Sequence, residues 1–523
     1  MGIYLNPGNE KFQKALKSKI YVDKSDLISY TNCVAGTEQA YVCVSRPRRF
    51  GKSMAANMLA AYYGRDFDSR RIFSGLKIAG DVDYKTHLNQ YDTFFLNMQD
   101  FLSQSHGIED MLQLIRSSLL WDVLSKYPDL RYFDNTNLTR TLQDVYQNTK
   151  CPFVFIIDEW DCVFRERRFK KEGQEKYLDF LRDLLKDKVY IQLVYMTGIL
   201  PIKKYGTHSA LNMFSEFSML DAGPLAEFTG FTQEEINALC KEYGMDLEEV
   251  KNWYDGYMFP EKFSVYCPCS VVKCMQFGKM GNYWNQTETF EALQMYIDMN
   301  FSGLRDDVLS MMAGEKVPVN VGSFSNDMMT FHTKDDVLTL LVHLGYLGYD
   351  YENESVFIPN NEIRNEYVNA VSVSEWGEVS STLKHSAELL YAIWQKQAVK
   401  VEEGIEQAHF ETSHLTYNDE NALSYTISLA LCAARNYYNI YREFPTGKGF
   451  ADMVYIPKKK CPNKPALVIE LKWDKSASGA ISQIKGKQYC KSLEQYCGNM
   501  LLVGINYDKA TRKHECIIED FVK

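Results

Sequence analysis

The chain has no stretch approaching the ~20 apolar residues of a membrane span, and Met1 to Asn32 carries charges where a signal peptide would be apolar. Asn6 stands where a myristoylation signal wants Ser or Thr. The expected location is therefore the cytoplasm, with no membrane partner. No low-complexity or Pro/Gly-rich stretch is long enough to suggest disorder, so most of the chain should fold. The 13 cysteines are scattered, which does not imply disulfides. Cys267 and Cys269 come closest to a metal pair, but they are one residue apart with no second pair nearby, which disfavours zinc. A basic surplus is also missing: the formal charge of −10 argues against a protein that coats nucleic acid over its whole surface. Only Tyr441 to Lys523 runs the other way, with 15 Lys and Arg against 9 Asp and Glu, so any nucleic-acid site belongs there.

What is present is 523 residues, enough for about three domains, at 46% hydrophobic and 24% charged. Ala40 to Ser45 (AYVCVS) reads as a buried strand and Met54 to Tyr63 (MAANMLAAYY) as a helix, with RPRRFGKS between them. Strand, loop and helix in that order are the context in which Gly51, Lys52 and Ser53 form a phosphate-binding P-loop. Backbone N–H groups there collect phosphate oxygens, Lys52 balances β- and γ-phosphate charge, and the Ser53 hydroxyl ligates Mg²⁺. Arg49, Phe50 and Met54 complete the candidate ATP contacts. Arg46 stands where the usual pattern has its first glycine, so the loop must turn differently. Arg46, Arg48 and Arg49 read as phosphate contacts, to the chain's own nucleotide or to that of a neighbouring copy in a homo-oligomer; the plainer alternative is a solvated loop.

Pro152 to Trp160 (PFVFIIDEW) is an apolar run ending in two acids, the pattern of a strand buried on both faces of a parallel sheet. Asp158 would hold Mg²⁺ and Glu159 would polarise the attacking water; the plainer alternative is that both cap the next helix. Val189 to Met196 forms a further strand ending at Thr197, either a γ-phosphate sensor or a simple strand-end residue. Thr232 to Glu235 starts a helix with capping acids, and the aromatic stretch Trp253 to Tyr266 reads as core. Leu344 to Pro359 is hairpin-like, with Asn353 and Glu354 at its turn.

Near the C-terminus the expected order is a helix over Asn421 to Tyr438, then GKGFADMVYIP, then ALVIELKW, then a helix near Ile481. Glu470 and Lys472 are two apart on a strand and share a face, with Asp452 on the preceding strand. Two carboxylates sharing Mg²⁺ beside a lysine is phosphodiester-hydrolysis chemistry. The alternative is a buried Glu and Lys that neutralise each other. Gly447 and Gly449 keep the approach to Asp452 narrow, Glu420 is a candidate third carboxylate, and Gln483 falls where the downstream helix faces the site.

RRFGKS, FIIDEWD, MTGILPIKKYG, WYDGY, GKGFADMVYIP and ALVIELKW together resemble the predicted AAA-ATPase-like proteins with a C-terminal PD-(D/E)XK nuclease domain, abundant in gut anaerobes. The resemblance implies an α/β chain: an ASCE/AAA-like P-loop NTPase domain, a helical lid and linker, and a restriction-endonuclease-like α/β domain. The expected boundaries are 1–225, 226–295, 296–405 and 406–523. It assigns the nuclease acids to Asp452 and Glu470, the lysine to Lys472 and the helical glutamate to Glu420. The expected function is an ATPase coupled to a Mg²⁺-dependent nuclease on nucleic acid, with DNA as the substrate. The rival is a nucleotide-controlled scaffold that binds nucleic acid or a protein partner without cutting.

Overall fold

The structure is a computed structural model describing residues 2–521 except 167, 203–210, 261–262, 285–289, 300, 327–330, 374–376, 412–419, 447–448, 488–492, 494–495 and 497. Two compact units interleave along the chain: Met1–Gln286 with Pro318–Ile363, and Thr287–Val317 with Arg364–Lys523. No helix among the described residues is long and apolar enough to cross a membrane.

The first unit is built on a parallel sheet of β1 (Tyr41–Ser45), β2 (Asp92–Asn97), β3 (Phe153–Asp158), β4 (Ile191–Gly198) and β5 (Ser215–Phe217), in the order β2-β3-β4-β1-β5. Every residue of β3 is buried, which explains an apolar run with no alternation: both faces are covered. β4 separates the P-loop strand β1 from the acid-ending strand β3, the order that an ASCE-type domain requires. Helix α1 (Lys52–Tyr63) starts two residues before the expected Met54 because Gly51, at φ 90°, turns the chain directly into it. Its alanines at 55, 56, 60 and 61 are buried and pack close.

The rest of this unit is helical with short hairpins. Helix α2 (Gln233–Tyr243) carries the anticipated capping box, with Thr232 accepting from the Glu235 N–H and the Glu235 carboxylate returning to the Thr232 N–H. Tyr254 and Tyr257 of the aromatic segment are buried, and their hydroxyls donate to the Gly281 and Gly345 carbonyls. Gly348–Asp350 pairs with Ser355–Phe357 across the turn at Asn353 and Glu354.

The second unit holds a mixed sheet of β6 (Tyr438–Thr446), β7 (Gly449–Pro457), β8 (Ala466–Trp473), β9 (Met500–Asp508) and β10 (Lys513–Asp520), in chain order. All pairs are antiparallel except β8 with β9, which helix α4 (Ala477–Gly486) connects. Helix α3 runs only over Glu420–Ala430, shorter than the sequence suggests. The aromatic and β-branched residues after Tyr437 instead form an edge strand along β7, where cross-strand packing outweighs local helical preference.

Candidate active sites

Where α1 leaves the loop, its first N–H groups have no intrahelical acceptor and point outward, the usual receptor for phosphate oxygens. Lys52 is buried, and its ammonium donates to the Arg46 carbonyl (2.9 Å) and the Pro47 carbonyl (2.8 Å), spanning the loop from inside. Burial lowers its pKa, and the charges of Glu159, Asp158 and Asp161 oppose that, so the lysine and the acidic strand end lie within electrostatic reach of each other. Ser53 and Met54 are exposed on the first turn of α1. Phe50 is fully buried, its ring edge-on to Tyr257 at 5.1 Å, so only its backbone is available to a ligand.

Asp158, at the end of β3, accepts a hydrogen bond from the Thr197 hydroxyl on β4 and another from the Glu159 N–H at 3.1 Å. The buried Thr197 thus holds Asp158 in place. Glu159 takes φ 56°, turning the chain out of the sheet, and its carboxylate pairs with Arg165. Arg165 also lies 3.5 Å from Asp161, whose other oxygen caps the Ile199 and Leu200 N–H groups. No sequence spacing singles out Arg165; a basic residue six positions after Glu159 is invisible until the chain turns back.

The loop arginines separate. Arg46 is fully buried, donating to the Ser45 carbonyl (2.9 Å) and the Phe217 carbonyl (3.0 Å) and lying 5.0 Å from the centre of the Phe259 ring. Burial lowers its pKa to about 10. That guanidinium is committed to the interior of the fold rather than to the loop surface. Arg49, at φ 67°, donates to the Cys269 sulfur at 3.0 Å, and Arg48 is exposed.

In the second unit, the β7–β8 register pairs Met453 with Ile469, which one step on sets Asp452 opposite Glu470. Asp452 accepts the Leu471 N–H at 2.7 Å. Lys472 Nζ donates to Glu470 Oε1 (3.0 Å) and to the Leu471 carbonyl (2.9 Å), and Gln483 Nε2 reaches the same Glu470 oxygen from α4. Glu470 is fully buried and its Oε2 has no hydrogen-bond partner. Burial, followed by the charge of Asp452, raises its pKa to about 7, while Lys472 pulls the other way. Glu420 opens α3, but its side chain lies outside the described residues, as does Gly447.

A buried carboxylate oxygen without a donor, opposite a second carboxylate, fits the donor set of a hard divalent cation. Among the described residues no group of three or more His, Cys, Asp or Glu side chains is placed to hold a metal, so the set is a pair. Its electrostatics make a testable statement about stability. With its pKa raised to about 7 in the folded chain, Glu470 keeps its proton to higher pH there than in the unfolded one, so metal-free stability falls as pH rises from about 4.5 to about 7. Glu470→Gln should therefore be the more stable protein above pH 7, by roughly 3 kcal/mol, and match the wild type near pH 4.5. Urea unfolding in EDTA across that range checks it; a gain that is the same at both ends contradicts it.

The fold is that of an α/β chain with a P-loop ATPase-like sheet in its first unit and a nuclease-like sheet in its second. Residues 8–207 match the model of the predicted AAA-ATPase family, and residues 419–516 that of the PD-(D/E)XK nuclease superfamily. Both halves of the architecture implied by the sequence resemblance are thereby found. An uncharacterized protein from the vnfD 5′ region of Azotobacter chroococcum mcd 1 is 22% identical over 254 residues. That alignment covers 47% of each protein, so the chain spans about half the length of this relative. Solved structures similar to the chain include the following two. A Walker-type ATPase of Pyrococcus abyssi has TM-score 0.36 and 14% identity, covering 66% of this chain and 94% of that one. The Aeropyrum pernix ORC2 protein, solved as ADPNP–ADP complexes, has TM-score 0.29 and 10% identity, covering 68% and 96%.

Proposed function

We propose that the protein binds and hydrolyses ATP with Mg²⁺ in its N-terminal domain and cleaves DNA with Mg²⁺ in its C-terminal domain, nucleotide state controlling cleavage. The observation that carries the nuclease half is the buried Glu470, with one oxygen unpartnered, facing Asp452 and flanked by Lys472. At the P-loop, Lys52 would leave the Arg46 and Pro47 carbonyls for the β- and γ-phosphates, and the α1 N–H groups would cradle them. Ser53 and Asp158 would hold Mg²⁺, with Thr197 fixing Asp158. Glu159 would accept the proton of the attacking water once its pairing with Arg165 loosens.

In the C-terminal site Asp452 and Glu470 would hold the cation, which supplies Lewis acidity at the phosphodiester. Lys472 would orient the attacking water and offset charge gained at the phosphate, while Gln483 keeps the Glu470 carboxyl in one rotamer. The same reading puts the protein in the cytoplasm, and allows it to assemble as a homo-oligomer in which the exposed Arg48 reaches a neighbouring copy's nucleotide.

The test is to assay the purified full chain for ATP turnover and for cleavage of linear, circular and single-stranded DNA, with Mg²⁺ or Mn²⁺ and with or without ATP. Metal-dependent cleavage whose rate changes with ATP is expected. ATP turnover with every DNA substrate left intact removes the nuclease half in favour of a nucleotide-controlled scaffold, a reading in keeping with the −10 net charge.

A further inference from the structure

Away from both sites, the second unit forms a half-open cavity of about 250 Å³ on the face of the mixed sheet opposite Asp452. Met453 and Tyr455 line it, packing in the core cluster that includes α3, whereas Val454 packs in the cluster that includes α4. Three arginines line the cavity: Arg364 from the helix Asn361–Val373, Arg435 from the turn before β6, and Arg442 from β6 itself, whose guanidinium is held by Glu315 and the Ser424 hydroxyl. The helix Leu304–Ala313 ends beside them at Gly314, whose φ of +106° suits glycine; a Cβ there would lie 3.3 Å from Arg435 Nη2.

The charges do not balance. Glu315 pairs with Arg442, but among the described residues no carboxylate pairs with Arg364 or Arg435, whose ordered partners are the Met312 and Ala313 carbonyls. Arg364 Nε has no partner, and neither does the hydroxyl of Ser428, which is only 7% exposed and lines the same cavity. Burial and then the charge of Arg435 hold Arg364 well below the ordinary guanidinium range. Two like charges half-buried side by side, with donors left over, cost stability unless an anion completes them.

We propose that this cavity binds a phosphomonoester dianion. Arg364 and Arg435, which no carboxylate pairs among the described residues, carry a formal charge of about +2, the complement of a phosphomonoester at neutral pH. Guanidinium forks match phosphate oxygens in pairs, and the Ser428 hydroxyl supplies a further donor. The volume far exceeds the roughly 10–15 Å³ that one water needs, leaving room beside the phosphate for an ester group against Ile440 and Met453. The phosphate could be free in solution or could be the 5′ end of a nucleic-acid strand.

Calorimetric titration of the full chain separates these. Inorganic phosphate should bind the Lys52→Ala protein, whose P-loop is disabled, and adding Arg364→Gln or Arg435→Gln should weaken it about 10- to 100-fold. A 5′-phosphorylated pentadeoxynucleotide binding better than its 5′-hydroxyl form, with the difference lost in Arg435→Gln, assigns the site to strand ends. Equal binding of the two oligonucleotides, with phosphate still bound, assigns it to a free phosphate ligand. In phosphate-free buffer the single Arg variants should melt at or above the wild-type temperature, since each removes a half-buried charge that no carboxylate pairs among the described residues. Unchanged phosphate affinity in both Arg variants, loss of all phosphate binding in Lys52→Ala alone, or a lowered melting temperature in both Arg variants would overturn the proposal.

Discussion

Lys52→Ala should lower ATP affinity by about 100-fold or more and abolish turnover. Charge-assisted hydrogen bonds contribute about 1.5–3 kcal/mol each, and Lys52 is placed to make one to each of two phosphates on the proposed reading. The same substitution should change the stability of the nucleotide-free chain little. It removes two hydrogen bonds to loop carbonyls, but also the cost of burying an ammonium that burial already pushes toward its neutral form. Fluorescent-nucleotide titration beside circular-dichroism melting distinguishes a lost ligand from a lost fold. Micromolar affinity retained in a folded Lys52→Ala protein would contradict the role of the loop.

Asp452→Asn is expected to reduce DNA cleavage by about 10³-fold, the loss of several kcal/mol of cation-mediated stabilisation in the transition state. Asparagine keeps an oxygen for the Leu471 N–H, so β7 and β8 should stay paired and the fold intact. Removing the Asp452 charge also removes one of the two causes that raise the Glu470 pKa. The pH window over which metal-free stability falls should accordingly move toward acid in this variant. Cleavage is measured on labelled linear DNA, with binding followed by anisotropy. A variant that binds and cuts at the wild-type rate would show that these carboxylates do not hold the catalytic cation. One that binds normally where the wild type never cuts would favour the scaffold.

The two predictions rest on parts of the chain that differ in how openly the sequence displays them. β1 and β3 are strands of five and six residues, apolar but for the last residue of each, β3 ending in Asp158, and RFGKS meets a helix of good formers. Local patterns of that kind survive in any context because burial on both faces demands them. The Glu470–Lys472 contact was equally open, since alternate residues of a strand share a face. The end of α3 was not: Cys432 to Tyr438 contains nothing that breaks a helix, and only an available partner, β7, makes it leave the helix for a turn and an edge strand. Arg46 shows the same limit at the P-loop. In one dimension it is one of three similar arginines; in the fold it is the one drawn into the interior, under Phe259 and against the Phe217 carbonyl.

By itself, then, the order of residues determined which chemistry each half can attempt: a phosphate-binding turn followed by an acid-tipped strand, and later two acids and a lysine on neighbouring strands. Hydrogen-bonding geometry within a strand or a single turn is short-ranged, so a few consecutive residues suffice to specify it. The tertiary structure alone decided how those groups are held. It placed Thr197 on Asp158 and Arg165 on Glu159, and left one Glu470 oxygen bare. It also gathered Arg364, Arg435 and Arg442 around one cavity. Desolvation and charge proximity set those arrangements, and both depend on which distant segments fold against each other.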